Sequence, residues 1–232
     1  MEGNRKQSHT EHIGGCRGAG IYFHECRNVL LRGCTVRNYN GDGISVQWKS
    51  ENVTVEDCTV EDNVGMGIHP GSDSHDSLIR RNIARRNGNS GLFVCVAVKN
   101  CRFEDNQLLE NSGPGISIGS RSTDNTFSRN RIVANARHGI EFRHETAKLG
   151  AHRNRFDQNI VLNNGRRETD ANAAVVIRGH HHDLDFRQNT IGNEEPSDTG
   201  RAGILVSADC KGFQSSKNTF QNVKSEVLRQ GE

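Results

Sequence analysis

The sequence predicts an all-β solenoid of about eight coils, each about 24 residues long and built from three short strands. Three observations carry that prediction. Small-plus-aliphatic pairs recur at Gly20-Ile21, Gly43-Ile44, Gly67-Ile68, Gly91-Leu92, Gly115-Ile116 and Gly139-Ile140, at steps of 23, 24, 24, 24 and 24. Ala174-Val175 and Gly203-Ile204 continue the series less regularly. A second column runs Cys34, Cys58, Asn82, Asn106, Asn130, Asn159, Asn189 and Asn218, and a third runs Asn63, Asn87, Asn111, Asn135 and Asn164. Finally, charges one repeat apart alternate in sign. Arg32, Glu56, Arg80 and Glu104 form one column; Asp57, Arg81, Asp105 and Arg129 form its neighbour. Glu61 stands over Arg85, and Asp62 over Arg86 over Glu110. Stacked strands in register demand this alternation, because like charges directly opposite one another destabilise a sheet.

Composition agrees. Mean hydropathy is -0.74 and hydrophobic content 32%, low for a compact globule but suited to a narrow solenoid with a thin core. Three prolines beside 25 glycines, with recurring Val, Ile, Asn and Thr, do not resemble a disordered tail. A net charge of +2 gives no electrostatic reason to expect nucleic acid or an anionic membrane. No apolar run is long enough for a transmembrane helix, and no signal-peptide pattern begins the chain. Seven cysteines without a CxxC pair indicate neither a disulfide framework nor a zinc site.

Each coil begins with the Gly-Ile strand, where Ile44 and Val46, Ile116 and Ile118, and Ile140 and Phe142 alternate with polar residues. The second strand repeats the pattern at Val53 and Val55, and the third, after the first Asn column, at Val60, Leu108, Ile132 and Val161. Period two throughout, with no sustained period of 3.6, excludes helical repeats. Asparagines at the bends between strands can bond to the asparagines above and below. Cys34 and Cys58 read as small buried thiols in one of those columns. These patterns bound the solenoid at residues 14–225, with an irregular segment at 1–13 and a tail at 226–232.

Departures from the repeat point to function. Five extra residues fall between Ile140 and Asn159, six between Asn159 and Val175, and five between Asn189 and Ile204. Beside these insertions Arg143 and Arg178 occupy equivalent outward positions, so they are expected to stack without an intervening acid. His138, Glu141, His144, Glu145 and His180 to His182 lie nearby. Paired arginines beside histidines suit an anion such as a uronate carboxylate. The alternative is that they pair with Glu141, Glu145 or Glu168. Elimination or epimerisation of a uronate needs its carboxylate neutralised and a base for the C5 proton, which makes His138, Glu141 and His144 the catalytic candidates. His69 is a secondary candidate on the same outward face, with Trp48 one coil below the turn that follows it and Phe93 one coil above it, as aromatic surfaces for a sugar. Three consecutive histidines at 180–182 cannot all face one ion on a strand, so no metal site is assigned.

The pattern GIxVxxxxNVTVxxCxVxxN resembles the right-handed parallel β-helix repeats of the pectate-lyase-like superfold over roughly residues 14–225. The resemblance implies a single-stranded right-handed parallel β-helix, a fold shared by enzymes and non-enzymes alike. The segment GMGIHPGSDSHDSLI is similar to the catalytic coil of alginate C5-epimerases, matching at Gly67, Ile68, Pro70, Ser74 and His75. It departs where His69 replaces the family's Asp and Gly71 its His, so the epimerase mechanism does not carry over whole. NGDGIS and GPGISIGS resemble polygalacturonase segments, but Gly43 and Pro114 replace an Asp and a His. Only Asp42 remains of the carboxylates that inverting hydrolysis needs, and that assignment is rejected.

The expected function is therefore action on, or binding of, acidic polysaccharide, by lyase- or epimerase-type chemistry if catalytic. A non-catalytic module for glycan binding, partner binding or structural support is the alternative, and a periplasmic metal-linked β-helix a weaker one. Calcium is the cofactor left open. The resemblance implies an extracellular or periplasmic setting. The absence of an amphipathic capping helix at either end fits a piece of a longer protein.

Overall fold

The computed structural model describes residues 1–3, 18–165, 172–196 and 201–230. Three parallel sheets run the length of the molecule, of nine, eight and eight strands. The first holds Ile21–His24, Ile44–Gln47, Ile68–Pro70, Leu92–Val94, Ile116–Ile118, Ile140–Glu145, Ala173–Gly179, Ala202–Ser207 and Ser225–Gln230. Each coil adds one strand to each sheet, so neighbours in a sheet are about one repeat apart in sequence. The register is the one the sequence columns require: Ile21, Ile44, Ile68, Leu92, Ile116, Ile140, Val175 and Ile204 are successive partners. Among the described residues no helix is long and apolar enough to cross a membrane.

Alternation puts one side chain of each pair inside. The three inward rows meet in one continuous core. The second sheet contributes Val55 and Ile79 and then a stack of Phe103, Phe127, Phe156 and Phe186, with ring centroids 4.7, 4.6 and 4.4 Å apart. Stacking like on like at strand spacing is how so thin a core stays close-packed.

The bends are held by asparagine. In the second column each side chain satisfies all its hydrogen-bonding groups. Asn106 Oδ1 accepts from Asn82 N at 3.1 Å and Asn82 Nδ2 at 3.0 Å. Its own Nδ2 donates to Ile79 O at 2.9 Å and to Asn130 Oδ1 at 3.0 Å. The ladder runs from Asn82 to Asn218, and a parallel one from Asn63 to Asn164. A shorter pair, Asn125 and Asn154, serves the bend between the first two sheets. Each ladder asparagine follows a residue with positive φ, such as Arg81 (52°), Asp105 (56°) or Glu110 (55°).

Those left-handed residues carry the outer charge columns. Arg81 Nε bonds Asp57 at 2.7 Å, Arg86 Nε bonds Asp62 at 3.0 Å and Arg129 Nε bonds Asp105 at 2.8 Å. Glu56 lies between Arg32 on one side and Arg80 and Arg81 on the other, paired with all three. The hydrogen bond from Arg80 leads in holding its carboxyl below the usual range. Cys34 and Cys58 sit in the asparagine column as expected, each donating its thiol to the carbonyl two residues earlier.

Two expected boundaries move. Ser225–Gln230 is not a tail but the ninth strand of the first sheet, paired with Ala202–Ser207, because Val227 continues the inward row. At the other end Gly3 N donates to Arg37 O at 2.8 Å, so Met1–Gly3 lies against the third sheet; the rest of the expected segment at 1–13 lies outside the described residues.

Truncating one ladder member leaves donors and acceptors buried without partners. Asn106→Ala is therefore expected to lower unfolding stability by about 2–3 kcal/mol, read from the shift of the urea midpoint. A loss below about 0.5 kcal/mol, the size of an ordinary surface substitution, contradicts the role given to the ladder.

Candidate functional site

The outward row of the first sheet runs Tyr22, Ser45, His69, Phe93, Ser117, Glu141, Val176, Leu205 and Leu228. An outward row on a solenoid is ordinarily solvated and polar. Here Ser45, His69, Ser117, Glu141, Val176 and Leu205 are all buried. The ionisable side chains in the middle of this row are connected in two groups.

The first group centres on His69. Its Nδ1 lies 2.7 Å from Asp42 Oδ2. Asp42 is itself buried and fixed by the Met66 N–H at 2.8 Å and the Ser45 hydroxyl at 3.2 Å. Phe93 meets the ring edge-on, with centroids 5.0 Å apart. Burial alone would discharge the imidazolium. The Asp42 carboxylate and the Cys95 sulfur outweigh it and raise the ring's value to about 9. His69 Nε2 is buried without a hydrogen-bond partner.

Arg143 links the first group to the second. Its guanidinium lies 4.4 Å above the Phe93 ring, a cation–π contact. Nη1 donates to Ser117 Oγ at 3.1 Å, and Nη2 to the carbonyls of Val94 at 3.1 Å and Cys95 at 3.0 Å. None of these acceptors is a carboxylate, and burial pulls the guanidinium below its ordinary value. Gly119 makes this possible. A Cβ there would fall 2.8 Å from Arg143 Nε and 2.6 Å from Glu145 Oε1.

The second group is Glu141, Arg178 and His138. Arg178 Nη1 forms a tight ion pair with Glu141, and its Nη2 donates to His138 Nε2 at 3.1 Å. Since Nε2 accepts, the proton of the neutral ring lies on Nδ1, which donates to Ala173 O at 3.1 Å. Arg137 approaches the same Glu141 oxygen at 3.7 Å.

The arginine pair is therefore not stacked as the sequence suggests. The first sheet's ladder is interrupted between Phe142 and Glu145, where the extra residues begin, so Arg143 and Arg178 are not register partners. Arg143 turns back toward earlier coils, while Arg178 takes the acid, as the alternative reading held for Glu141. His181 holds the bulge. It is buried and its Nε2 lies 2.7 Å from Arg178 O and 3.0 Å from Arg143 O, with Ala151 N donating to Nδ1 at 3.0 Å. Burial keeps this ring below the ordinary histidine value.

The remaining candidates stand apart. Trp48 is 49% exposed and packs on His24, centroids 5.6 Å apart, nearer the first coil than the His69–Phe93 contact. His144 is exposed on the bulge, while Glu145 is buried and accepts from Ser120 N and Oγ, both at 2.8 Å. Glu168 lies outside the described residues. His180, His181 and His182 follow the strand that ends at Gly179 rather than lying on it, so the alternation expected of them does not apply, and all three line one hollow; His182 stacks on His152 at 3.5 Å. These rings line an open hollow of about 160 Å³ with Asp209 and Lys211. Glu51, His75 and Asp76 form a group tight enough for a cation. With two carboxylates and one imidazole it falls short of the roughly six to eight oxygens calcium takes.

Sequence reasoning missed the partnership of Asp42 with His69, which lie 27 residues apart across one coil boundary. It also missed Cys95. The signal was present: Cys95 lies two residues after Phe93, hence on the outward side, whereas Cys34 and Cys58 fall in the asparagine column.

The family described as the right handed beta helix region matches residues 6–123 and 72–191. No curated protein matches the sequence. Among solved structures, the Azotobacter vinelandii mannuronan C-5 epimerase AlgE4 A-module is 19% identical over 87% of this chain and 62% of that one, with a TM-score of 0.69. The periplasmic alginate epimerase AlgG is 17% identical over 88% of this chain and 47% of that one, at 0.73. The Dettilon tailspike protein is 13% identical over 87% and 49%, at 0.60. At such identities the likeness is one of fold, and this chain spans less than two thirds of each of them.

The His69–Asp42 contact has a pH signature. The folded value, about 9, lies above the ordinary 6.5, so the folded protein holds this proton more tightly than the unfolded chain. The resulting stabilisation is complete below 6.5 and is lost as pH rises through about 9. The difference in melting temperature between the native protein and His69→Asn should shrink across that interval. A difference that stays constant or grows from pH 6.5 to 9 contradicts a charged His69.

Proposed function

The chain belongs to the right-handed beta-helix family, and from that premise we propose that it binds acidic, uronate-containing polysaccharide along the outward face of its first sheet. The observation that carries this reading is Arg143, a half-buried guanidinium whose three hydrogen bonds all go to uncharged oxygens. A desolvated cation without a bonded counter-ion favours an anion. Guanidinium has five N–H donors, so one on Nε and one on Nη1 remain, and each can donate a single charge-assisted hydrogen bond to a carboxylate oxygen. That the epimerases of similar fold are named for mannuronan and alginate supports a uronate as the anion.

The chemistry we propose is of lyase or epimerase type, in which the C5 proton leaves once the substrate carboxylate is neutralised. Glu141 and His138 are the proton acceptors closest to hand, and both are engaged by Arg178. A substrate carboxylate competing for Arg178 releases them together. Arg178 thereby couples binding to the availability of a base.

The engagement of both acceptors also favours a second reading, in which the face binds uronates and turns nothing over. The two readings separate in one experiment. The protein is incubated with polymannuronate, polyguluronate and polygalacturonate in D₂O. Exchange at C5 is followed by NMR, unsaturated uronate by its absorbance, and binding by calorimetry. Binding with exchange or elimination supports the catalytic reading, and binding alone supports the second. Arg143→Ala should weaken binding by about tenfold or more, the worth of a charge-assisted hydrogen bond. Arg178→Ala should remove exchange. Equal affinity of native protein and Arg143→Ala for every polymer, or no binding at all, rejects the proposed face.

A further inference from the structure

The asparagine ladder that starts at Asn63 ends at Asn164, and an arginine bonds to its last member. Arg201 precedes the strand Ala202–Ser207 and is only 5% exposed. Its Nη1 donates to Asn164 O at 2.6 Å and to Asn193 Oδ1 at 3.1 Å. Its Nε and Nη2 are buried and donate to nothing, and so is Nδ2 of Asn193. Among the described residues no carboxylate pairs with this guanidinium. The acid next to Asn193, Glu194, accepts instead from Asn163 Nδ2 at 2.9 Å. Burial alone acts on the charge of Arg201, and it pulls the guanidinium below its ordinary value.

Nε and Nη2 share one edge of a guanidinium, and their parallel N–H bonds form the fork that grips both oxygens of one carboxylate. This chain uses that edge repeatedly. Arg81 on Asp57, Arg86 on Asp62, Arg129 on Asp105 and Arg153 on Asp124 each put Nε on one oxygen and Nη2 on the other, at 2.7 to 3.0 Å. Arg143 keeps no such fork, because both hydrogens of its Nη2 go to carbonyls. Arg201 keeps the whole edge, inside the protein, with a further unbonded donor on the amide that its Nη1 holds.

We propose that Arg201, with Asn193, is the binding site of a small oxyanion, gripped through Nε and Nη2. An uncompensated charge and unmade donor bonds are each costly in a protein interior. One oxyanion supplies both the counter-charge and the acceptors. The nitrogens are closed off from solvent, so the anion is taken up as the bend folds and belongs to the scaffold, not to the outward face of the first sheet. The folded chain holds it and the unfolded chain does not, which links anion concentration to stability.

This inference does not rest on the uronate reading, and its test uses no uronate. The whole chain is unfolded in urea at equilibrium, with phosphate or acetate replacing chloride at constant pH and ionic strength. The urea midpoint of the native protein should rise with millimolar anion and then climb only logarithmically. A rise with phosphate identifies a tetrahedral oxyanion as the occupant, and a rise with acetate a carboxylate. Arg201→Lys keeps the charge and loses the fork. It should weaken the affinity fitted to that rise by about tenfold or more, the worth of one charge-assisted hydrogen bond. Asn193→Asp exchanges an unbonded donor for a carboxylate oxygen beside the guanidinium. It should raise the midpoint in chloride and shrink the response to either anion. General exclusion of salt from the surface acts on all three chains alike, so the differences between them read the site. A native midpoint that moves no more with phosphate or acetate than that of Asn193→Asp overturns the proposal, whether or not Arg201→Lys folds. So does a folded Arg201→Lys chain with the native response.

Discussion

The structure depends on the stacking of asparagine side chains at its bends. A coil of about 24 residues can close only if the backbone turns sharply between strands, and this chain turns through a residue of positive φ each time. For a non-glycine residue that conformation is uncommon and unfavourable. The asparagine that follows offsets it by satisfying backbone groups above and below while its own amide is fully bonded, as at Asn106. Because each amide bonds to its counterpart in the next coil, the ladder fixes register as well as shape. The charge columns on the neighbouring left-handed residues repeat the same register at the surface, where each pair adds little alone and the series excludes a slipped alternative.

A scaffold this regular leaves its outward faces free to vary. On the first sheet the variation is concentrated in the middle coils. Asp42 and His69 come from adjacent coils, Phe93 and Cys95 from the next, Ser117 and Gly119 from the next, and Glu141 and Arg143 from the one after. No local sequence motif brings them together; stacking does. The extra residues after Ile140 then break the ladder locally, and buried His181 ties the carbonyls of Arg143 and Arg178 across the gap. Arg143 is thereby free to reach back over Phe93 rather than forward to Arg178.

Most of the architecture was legible in the sequence because it is periodic. Gly-Ile pairs, asparagine columns and alternating charges each report the same spacing, and the strand register follows residue for residue. The candidate site was legible only in part. Arg143, Arg178, Glu141, His69 and Phe93 were placed on one face by counting, with His138 only nearby. Their partners were not, because a partner depends on which way a long side chain turns. Arg178 could reach Glu141 one strand away, and it did; Arg143 could not be known to turn backwards without the bulge. Cys95 was hidden by its chemistry, since a cysteine in this chain is most often a core thiol. The C-terminal strand was missed because only Val227 continues the inward row, while Leu228 stands exposed on the outward face where alternation predicts a polar residue.

The outward face of the first sheet, around Arg143, is on this proposal an anion-recognising site and not merely the scaffold's exterior. A crystal structure of the protein with a short uronate oligosaccharide tests it most directly. A sugar carboxylate is expected within hydrogen-bonding distance of the Arg143 guanidinium, with Arg178 drawn away from Glu141 toward the same or a neighbouring carboxylate. An oligosaccharide bound instead in the histidine-lined hollow near His152 and Asp209, with Arg143 and Arg178 keeping their present partners, would contradict it.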